Sequence, residues 1–295
     1  MEKIIVTGAN GFIGRYVVGK LMLEGYSIYA MDRSDNESHD SMVTHIKADL
    51  SKSENALNVA KDIGAADVLV HLAADITIPG DSRTIGNNIS GMITAIDIAI
   101  NTGVRHFVYL SSVPVIGEIV YTPIEERHPV HPRTPYHWSK LLGEWMLEEV
   151  CDLYETISMI RIPSPIGRGM RTNVFLPFML QRMMCGNDVE IYGEGKRIQN
   201  YIDVRDIAEA ILRVIKNKPQ GLFLISGERS ISNLELAKLC KQITHSSSRI
   251  VKGRHADPEE SEQWILSCKK AAKGFGYAPV YDLETTIQWI CEGSV

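Results

Sequence analysis

Apolar runs and amphipathic runs alternate along the first half of this chain. Residues 3–7 form a short apolar stretch with the character of a strand, and 12–24 repeat apolar residues at helical spacing, with Ile13, Val17 and Leu21 on one face. Strand patterns recur at 27–31, 45–47, 67–72, 105–110 and 157–162, and helical patterns at 53–63, 88–101 and 136–150. Strand and helix in strict alternation, with short connections, predict a parallel sheet covered on both faces. After Pro163 the periodicity weakens. Glycine and proline recur, and helical stretches at 174–184, 204–216 and 233–242 are separated by short strands. Residues 1–165 therefore read as one lobe. Residues 166–295 read as a smaller α/β lobe interleaved with it, not hung behind a linker. There is no internal repeat and no low-complexity tract, and the acidic run 257–262 reads as a solvated loop or helix start.

The first strand-to-helix connection carries chemistry. In "VTGANGFIG", Gly8, Gly11 and Gly14 lie three residues apart between strand and helix. Gly8 allows a tight turn, Gly11 lets a pyrophosphate approach the backbone, and Gly14 lets helix pack on strand. The helix N-terminus then offers N–H groups and partial positive charge to phosphate. Such a triplet alone is only a βα loop, but Asp32 follows Gly14 by eighteen residues, at the end of the second strand. An acid there can hold both ribose hydroxyls of NAD. Arg33, next in line, can stack on adenine or take the 2′-phosphate of NADP. NAD is favoured, because the Asp32 carboxylate would repel a phosphate on the same ribose. The fold class follows: a Rossmann-type doubly wound parallel sheet with a smaller C-terminal α/β substrate lobe.

Composition narrows the class without changing it. The 295 residues are 44% hydrophobic and 23% charged, with a formal net charge of −5. That is an ordinary globular balance, and it argues against nucleic acid as the main partner. No apolar run reaches the ~18 residues of a membrane span. Met1-Glu2-Lys3 leads straight into a strand, so no signal peptide is expected. The five cysteines, Cys151, Cys185, Cys240, Cys268 and Cys291, are dispersed and odd in number. They read as reduced thiols acting as small buried hydrophobes in a cytoplasmic protein.

A second motif supplies a reactive pair. In "PYHWSK", Tyr136 and Lys140 are four apart at a helix start and so share a face. A free phenol titrates near ~10 and is a poor base at neutral pH. A neighbouring ammonium and an oxidised nicotinamide both stabilise the phenolate, and lowering the pKa by about 3 units takes ~4 kcal/mol. "YLSSVPVIG" ends a buried strand in Ser111 and Ser112, at the carboxyl edge where ligands bind in such sheets. His128 and His131 are three apart but lie among prolines, so an extended loop is expected there and no metal site. The methionines of "FMLQRMM" read as core.

Together, GANGFIG, Asp32, Asp49-Leu50, the "HLAA" of His71–Ala74, Asn88 with Gly91, Ser111-Ser112, Tyr136 with Lys140, and Arg161 resemble the extended short-chain dehydrogenase/reductase family. More narrowly, the chain is similar to the NAD-dependent sugar epimerase/dehydratase group. "IYGEGKRIQNYIDVRDIAEAI", "ISGERSISNLELAKL" and "SCKKAAKGFGYAP" extend the likeness over nearly the whole chain. The resemblance implies that Gly8, Asn10, Gly11, Phe12, Ile13 and Gly14 wrap the pyrophosphate, and that Asp32 and Arg33 hold the adenosine ribose. It implies that Asp49 and Leu50 flank adenine, and that Leu72, Ala73, Ala74, Asn88, Ser111 and Pro163 line the rest of the cofactor trough. Tyr136 would be general acid/base, Lys140 would tune it and hold the nicotinamide ribose, and Ser112 would orient the reacting oxygen. Asp75, Val113, Ser164, Arg168, Arg171 and Gln199 are the substrate candidates. Many relatives pair the helices at 88–101 and 136–150 between subunits, which implies a homodimer.

Departures from the family pattern refine the reaction. Dehydratases of the family place an acid after the catalytic hydroxyl, and GDP-fucose-synthase-type enzymes a cysteine; here Val113 and Pro114 follow, and neither transfers a proton. Simple oxidoreduction at one carbon remains, most naturally 4-epimerisation of a nucleotide sugar. A 4-keto nucleotide sugar reductase and a non-catalytic dinucleotide sensor are the alternatives. Ile116, Ser164 and Gln199 stand where relatives carry Tyr, Asn and a diphosphate-gripping Arg. A compensating arginine is sought among Arg168, Arg171, Arg249 and Arg254. Arg197, two residues before Gln199, is expected to point elsewhere.

Overall fold

A computed structural model of the protein describes residues 2–35, 40–52, 54, 56–77, 80–172 and 174–293. The strands are β1 Lys3–Thr7, β2 Ser27–Asp32, β3 Val43–Lys47, β4 Val68–His71, β5 His106–Ser112, β6 Thr156–Ile162, β7 Ser164–Ile166, β8 Val189–Ile191, β9 Ile198–Asp203, β10 Gly221–Leu224, β11 Ser230–Ser232 and β12 Ile250–Lys252. The helices are α1 Phe12–Leu23, α2 Ala56–Ile63, α3 Ser82–Asn101, α4 Pro135–Glu149, α5 Phe175–Met184, α6 Val204–Asn217, α7 Asn233–Ile243, α8 Lys269–Phe275 and α9 Leu283–Glu292. Seven strands form one sheet in the order β3-β2-β1-β4-β5-β6-β10, every neighbouring pair parallel.

Strand alternation distributes the core. Ile4, Val6, Val108 and Leu110 face one layer, where Val17 and Leu21 of α1 meet Ile207 and Ile211 of α6. Ile5, Phe107 and Tyr109 face the other, with Val59 of α2, Met92 and Ala95 of α3 and Leu147 of α4. The inner strands β1, β4 and β5 are apolar on both sides because both sides are covered. From β1 the order runs outward to β2 and β3, then returns across β1 to β4. The reversal opens a crevice beyond the carboxyl ends of β1 and β4, the usual ligand position in such sheets.

The second half builds a smaller layer. Strand β9 pairs parallel with β7 and antiparallel with β11, and β12 pairs with β8. Its core gathers Leu176, Met179 and Met183 of α5, Leu236 and Cys240 of α7 and Ile287 of α9. The methionines of "FMLQRMM" largely pack here, as their spacing suggests. Yet α6, β10 and Phe275 of α8, all late in sequence, pack into the first core.

Some boundaries moved. The helix expected from residue 88 begins at Ser82, because Asp81 and Thr84 form a capping box there. The helix expected from residue 53 is described from Ala56, and Ser53 lies outside the described residues. Only Cys240 is buried; Cys151 and Cys185 are exposed and Cys268 and Cys291 half-buried, all as free thiols. The buried-hydrophobe reading of the five therefore fails for four, which sit at helix ends or at the edge of a core. No helix among the described residues is long and apolar enough to cross a membrane.

Two imidazoles are buried in this frame. His71, beside Thr7 and stacked on Tyr109, is pushed down to about 3 by burial with Lys140 nearby. His106 is pushed down to about 4 by burial with Lys218 nearby. Both bind protons more readily in the unfolded chain, so stability should fall as pH drops below ~6.5. From pH 7 to about 5 each should remove about 2 kcal/mol, measured as urea stability against pH and relieved at His71→Asn.

Candidate active site

The turn after β1 is shaped by what it excludes. Gly8 has φ +69°, and a Cβ there would lie 2.8 Å from the Ala73 backbone. A Cβ on Gly14 would lie 2.1 Å from the Gly8 carbonyl oxygen. Gly11 caps α1 with no side-chain hydrogen bond, so the helix presents bare N–H groups at its start. Asp32, ending β2, accepts from the Asn10 amide N–H at 3.1 Å and from the Ser34 N–H and hydroxyl. Asn10 in turn donates its side-chain amide to Ser34. The ribose-binding carboxylate expected at Asp32 is thus held at the lip of the glycine turn, with Arg33 exposed beside it. These features fit a dinucleotide: a cradle that any Cβ would fill, an open helix terminus and an acid at the neighbouring strand end.

Thr7 ties the next strand to this turn. Its hydroxyl accepts from the N–H groups of Leu72 and Ala73, both at 3.2 Å. That fixes the path of residues 72–74 opposite Gly8. Phe12 and Ile13 begin α1, with Ile13 packed on the core. Asp49 accepts from Ser51, and Leu50 is buried in the layer of α2 and α3.

Tyr136 and Lys140 lie on the first turns of α4, whose N-cap Thr134 accepts from the His137 N–H and whose Pro135 sits at the first helical position. The Lys140 ammonium is 6.0 Å from the centre of the Tyr136 ring and 4.8 Å from that of Tyr109. It donates to the Leu110 carbonyl at 2.7 Å, beside the β5 terminus that carries Ser112. Burial pulls Lys140 down to about 8, against the pull of Glu144, and pushes Tyr136 up to about 12, against Arg171. The phenol is therefore not lowered in the ligand-free state; the expected lowering includes an oxidised nicotinamide. Burial outweighs the Arg171 guanidinium, and the Lys140 ammonium is held by a strand carbonyl.

Ser111 and Asn88, expected to line the cofactor trough, also hold internal partners. Strand alternation turns Ser111 away from Ser112, and its hydroxyl donates to Glu144 Oε1 at 2.5 Å. Arg161 of β6 donates to both oxygens of Glu144, at 2.9 and 2.6 Å, and both side chains are buried. Asn88 receives the Asp75 N–H at 2.6 Å and donates to the Asp75 carbonyl and Ser139 hydroxyl, which uses its amide as a clamp between loop and helix.

A cleft of about 230 Å³ opens beside these residues, walled by Val113, Pro163, Ser164, His137, Gln199 and Trp264 among others. Val113, Ser164 and Gln199 thus share one cavity, while the other substrate candidates are engaged elsewhere. Arg168 donates to the Trp289 carbonyl and stacks on its ring, Arg171 donates to the Ile76 carbonyl, and Asp75 accepts from Thr77 and Asn87. Arg249 pairs with Asp188. Arg197, expected to point elsewhere, lines the same cleft as Gln199. Residues i and i+2 of extended chain share a face, so the earlier expectation misapplied the alternation. Sequence reasoning also missed Arg133, Glu259 and Glu262, which line the cleft with it; the acidic run was the signal, read as solvated loop. His128 is buried in its loop and accepts from the Val120 N–H.

The model of the NAD dependent epimerase/dehydratase family matches residues 4–225. The chain is 25% identical to a UDP-glucose 4-epimerase of Lacticaseibacillus casei over 97% of this chain and 96% of that protein. It is 25% identical to a dTDP-glucose 4,6-dehydratase of Streptomyces antibioticus over 97% and 91%. Among solved structures, a UDP-glucose 4-epimerase of Thermotoga maritima with UDP-glucose superposes with a TM-score of 0.88 at 25% identity, covering 98% of this chain and 97% of that one.

Replacing Gly14 by Val should weaken NAD binding by about 100-fold in calorimetry, because the side chain meets the Gly8 carbonyl. Removing the Glu144 carboxylate by Glu144→Ala leaves Arg161 charged and buried, and should lower urea stability by about 3–5 kcal/mol.

Proposed function

The chain belongs to the NAD dependent epimerase/dehydratase family, and on that footing we propose that it is an NAD-dependent nucleotide-sugar 4-epimerase. The glycine turn, with Asn10, Asp32 and the 72–74 segment, would hold the dinucleotide. NAD, when bound, takes up and returns a hydride at a secondary alcohol carbon. Tyr136 would remove the hydroxyl proton and later restore it, Ser112 would hydrogen-bond the same oxygen, and Lys140 would hold positive charge near the phenol. In the ligand-free protein that phenol is held protonated; a bound cationic nicotinamide and a Lys140 freed from the Leu110 carbonyl would both favour its phenolate.

One observation carries the choice of epimerisation over elimination. The wall next to Ser112 is Val113 and Pro114, with Val113 buried, so no side chain there can move the second proton that dehydration requires. The acids that do line the cleft are bound to arginines. The UDP-glucose 4-epimerases among the relatives support the substrate class.

Residues 1–165 would then serve the cofactor and 166–295 the sugar, with α6 and β10 shared between them. A homodimer through α3 and α4 fits their exposed Ile93 and Ile100, seven apart, and Trp138 and Trp145, also seven apart. A reducing cytoplasm fits the free thiols.

Purified protein should interconvert UDP-glucose and UDP-galactose with no net change in nicotinamide absorbance. Stoichiometric NADH consumption on a 4-keto sugar, without interconversion, would overturn the epimerase reading in favour of a reductase. Tyr136→Phe should lower turnover by about 10²–10⁴-fold while NAD affinity stays within a few-fold.

A further inference from the structure

Two arginines distant in sequence line the cleft. Arg133 directly precedes the α4 N-cap, and Arg197 directly precedes β9. Neither is free. Glu262 pairs with Arg133 at hydrogen-bond distance, and Glu259 Oε1 lies 3.3 Å from Arg133 Nη1. Glu259 Oε2 lies 2.5 Å from Arg197 Nη2, and Glu262 Oε2 lies 3.9 Å from it. The Nε of Arg197 is buried and has no hydrogen-bond partner among the described residues. Gln199 shares the wall, but its amide N–H donates to Asn233.

The carboxylates arrive on a segment whose backbone is fastened to residues 194–198, which carry Arg197. Glu260 accepts from the N–H groups of Glu194 and Lys196. The Ile198 N–H donates to the Glu262 carbonyl, and the Trp264 N–H to the Ile198 carbonyl. The side chains of Glu259 and Glu262 are thereby delivered into the cleft while their main chain stays in place. Glu262 has one further tie, the Trp264 indole N–H at 3.0 Å. The guanidinium fork fits carboxylate and phosphate alike, and the Arg133 side chain is 44% exposed, the Glu259 side chain 34%. The Arg133–Glu259 pair, so open to water, is weak; Arg197 and Glu262, with side chains 26% and 10% exposed, line the inner end of the cluster.

We propose that Arg133 and Arg197 are the phosphate-binding pair of this cleft, and that Glu259 and Glu262 stand in for phosphoryl oxygens until a nucleoside diphosphate displaces them. The assignment rests on the nucleotide-sugar reading above and adds to it the residues that grip the diphosphate and an internal competitor for them. A ligand without phosphate leaves the four charges paired. A diphosphate replaces two carboxylates with a more highly charged, bidentate partner and fills the vacant donor of Arg197. The cleft thus sets its own threshold for anions.

The test is calorimetric titration of UDP into the NAD-loaded full chain, in the native protein, in Glu259→Gln/Glu262→Gln and in Arg133→Ala/Arg197→Ala. UDP should bind the native protein, about fivefold or more tighter to the glutamine variant, and about tenfold or more weaker to the alanine variant. A merely structural role for the cluster would weaken UDP binding in both variants, and that result overturns the proposal. So does UDP affinity unchanged by the arginine substitutions, or UDP binding to none of the three proteins, which would mean that the cleft takes no diphosphate. Should a double variant fail to bind NAD, the single changes Arg133→Gln and Glu259→Gln replace it with the same expected directions. Sugar interconversion separates the two readings. UDP binding as expected without epimerisation removes the assigned reaction and keeps the subsite; epimerisation with a KM unmoved in the alanine variant removes the subsite and keeps the reaction.

Discussion

The Glu144 carboxylate is where the site is assembled. It receives Arg161 from β6 through two N–H groups and the Ser111 hydroxyl from β5, and it rides on α4 one helical turn beyond Lys140. Three elements are therefore pinned at a single buried point, and the helix bearing Tyr136 and Lys140 has one position relative to the strand ends. A buried charge pair contributes little net stability, but mispairing it is costly, so its effect is to select one arrangement of helix against sheet. The hydroxyl, phenol and ammonium that the proposed reaction needs inherit their spacing from it.

Against that frame, the legible parts of the sequence are those where a local rule has no competitor. Gly8 and Gly14 could be read because only the absence of a side chain answers a left-handed φ or an approach of 2.1 Å. The parallel order of strands could be read because both faces of the inner strands are apolar. Ser111 and Asn88 are less legible for a different reason. Their residue types suit a ligand and suit an internal clamp equally well, and only tertiary neighbours decide which. For Tyr136, spacing reports the distance to Lys140 and says nothing of burial, which dominates in the ligand-free protein.

The acidic run 257–262 shows the limit most sharply. Taken as a string it is a solvated loop. Folded, it meets Arg133, some 126 residues earlier, and Arg197, and becomes the charged lining of the cleft. No pattern within the run encodes that meeting; it is made by the backbone pairing of the segment with residues 194–198.

The late arrival of α6 and β10 in the first core reaches beyond the finished molecule. The edge strand beside β6 lies at Gly221–Leu224, and the helix packed against α1 ends at Asn217. During synthesis the layer built on β1 to β6 has no complete outer face until Leu224 has been made. Until then, one side of β6 and the apolar stripe of α1 stand open to water, so the nascent polypeptide must pass through a stage in which its most regular portion is also its stickiest.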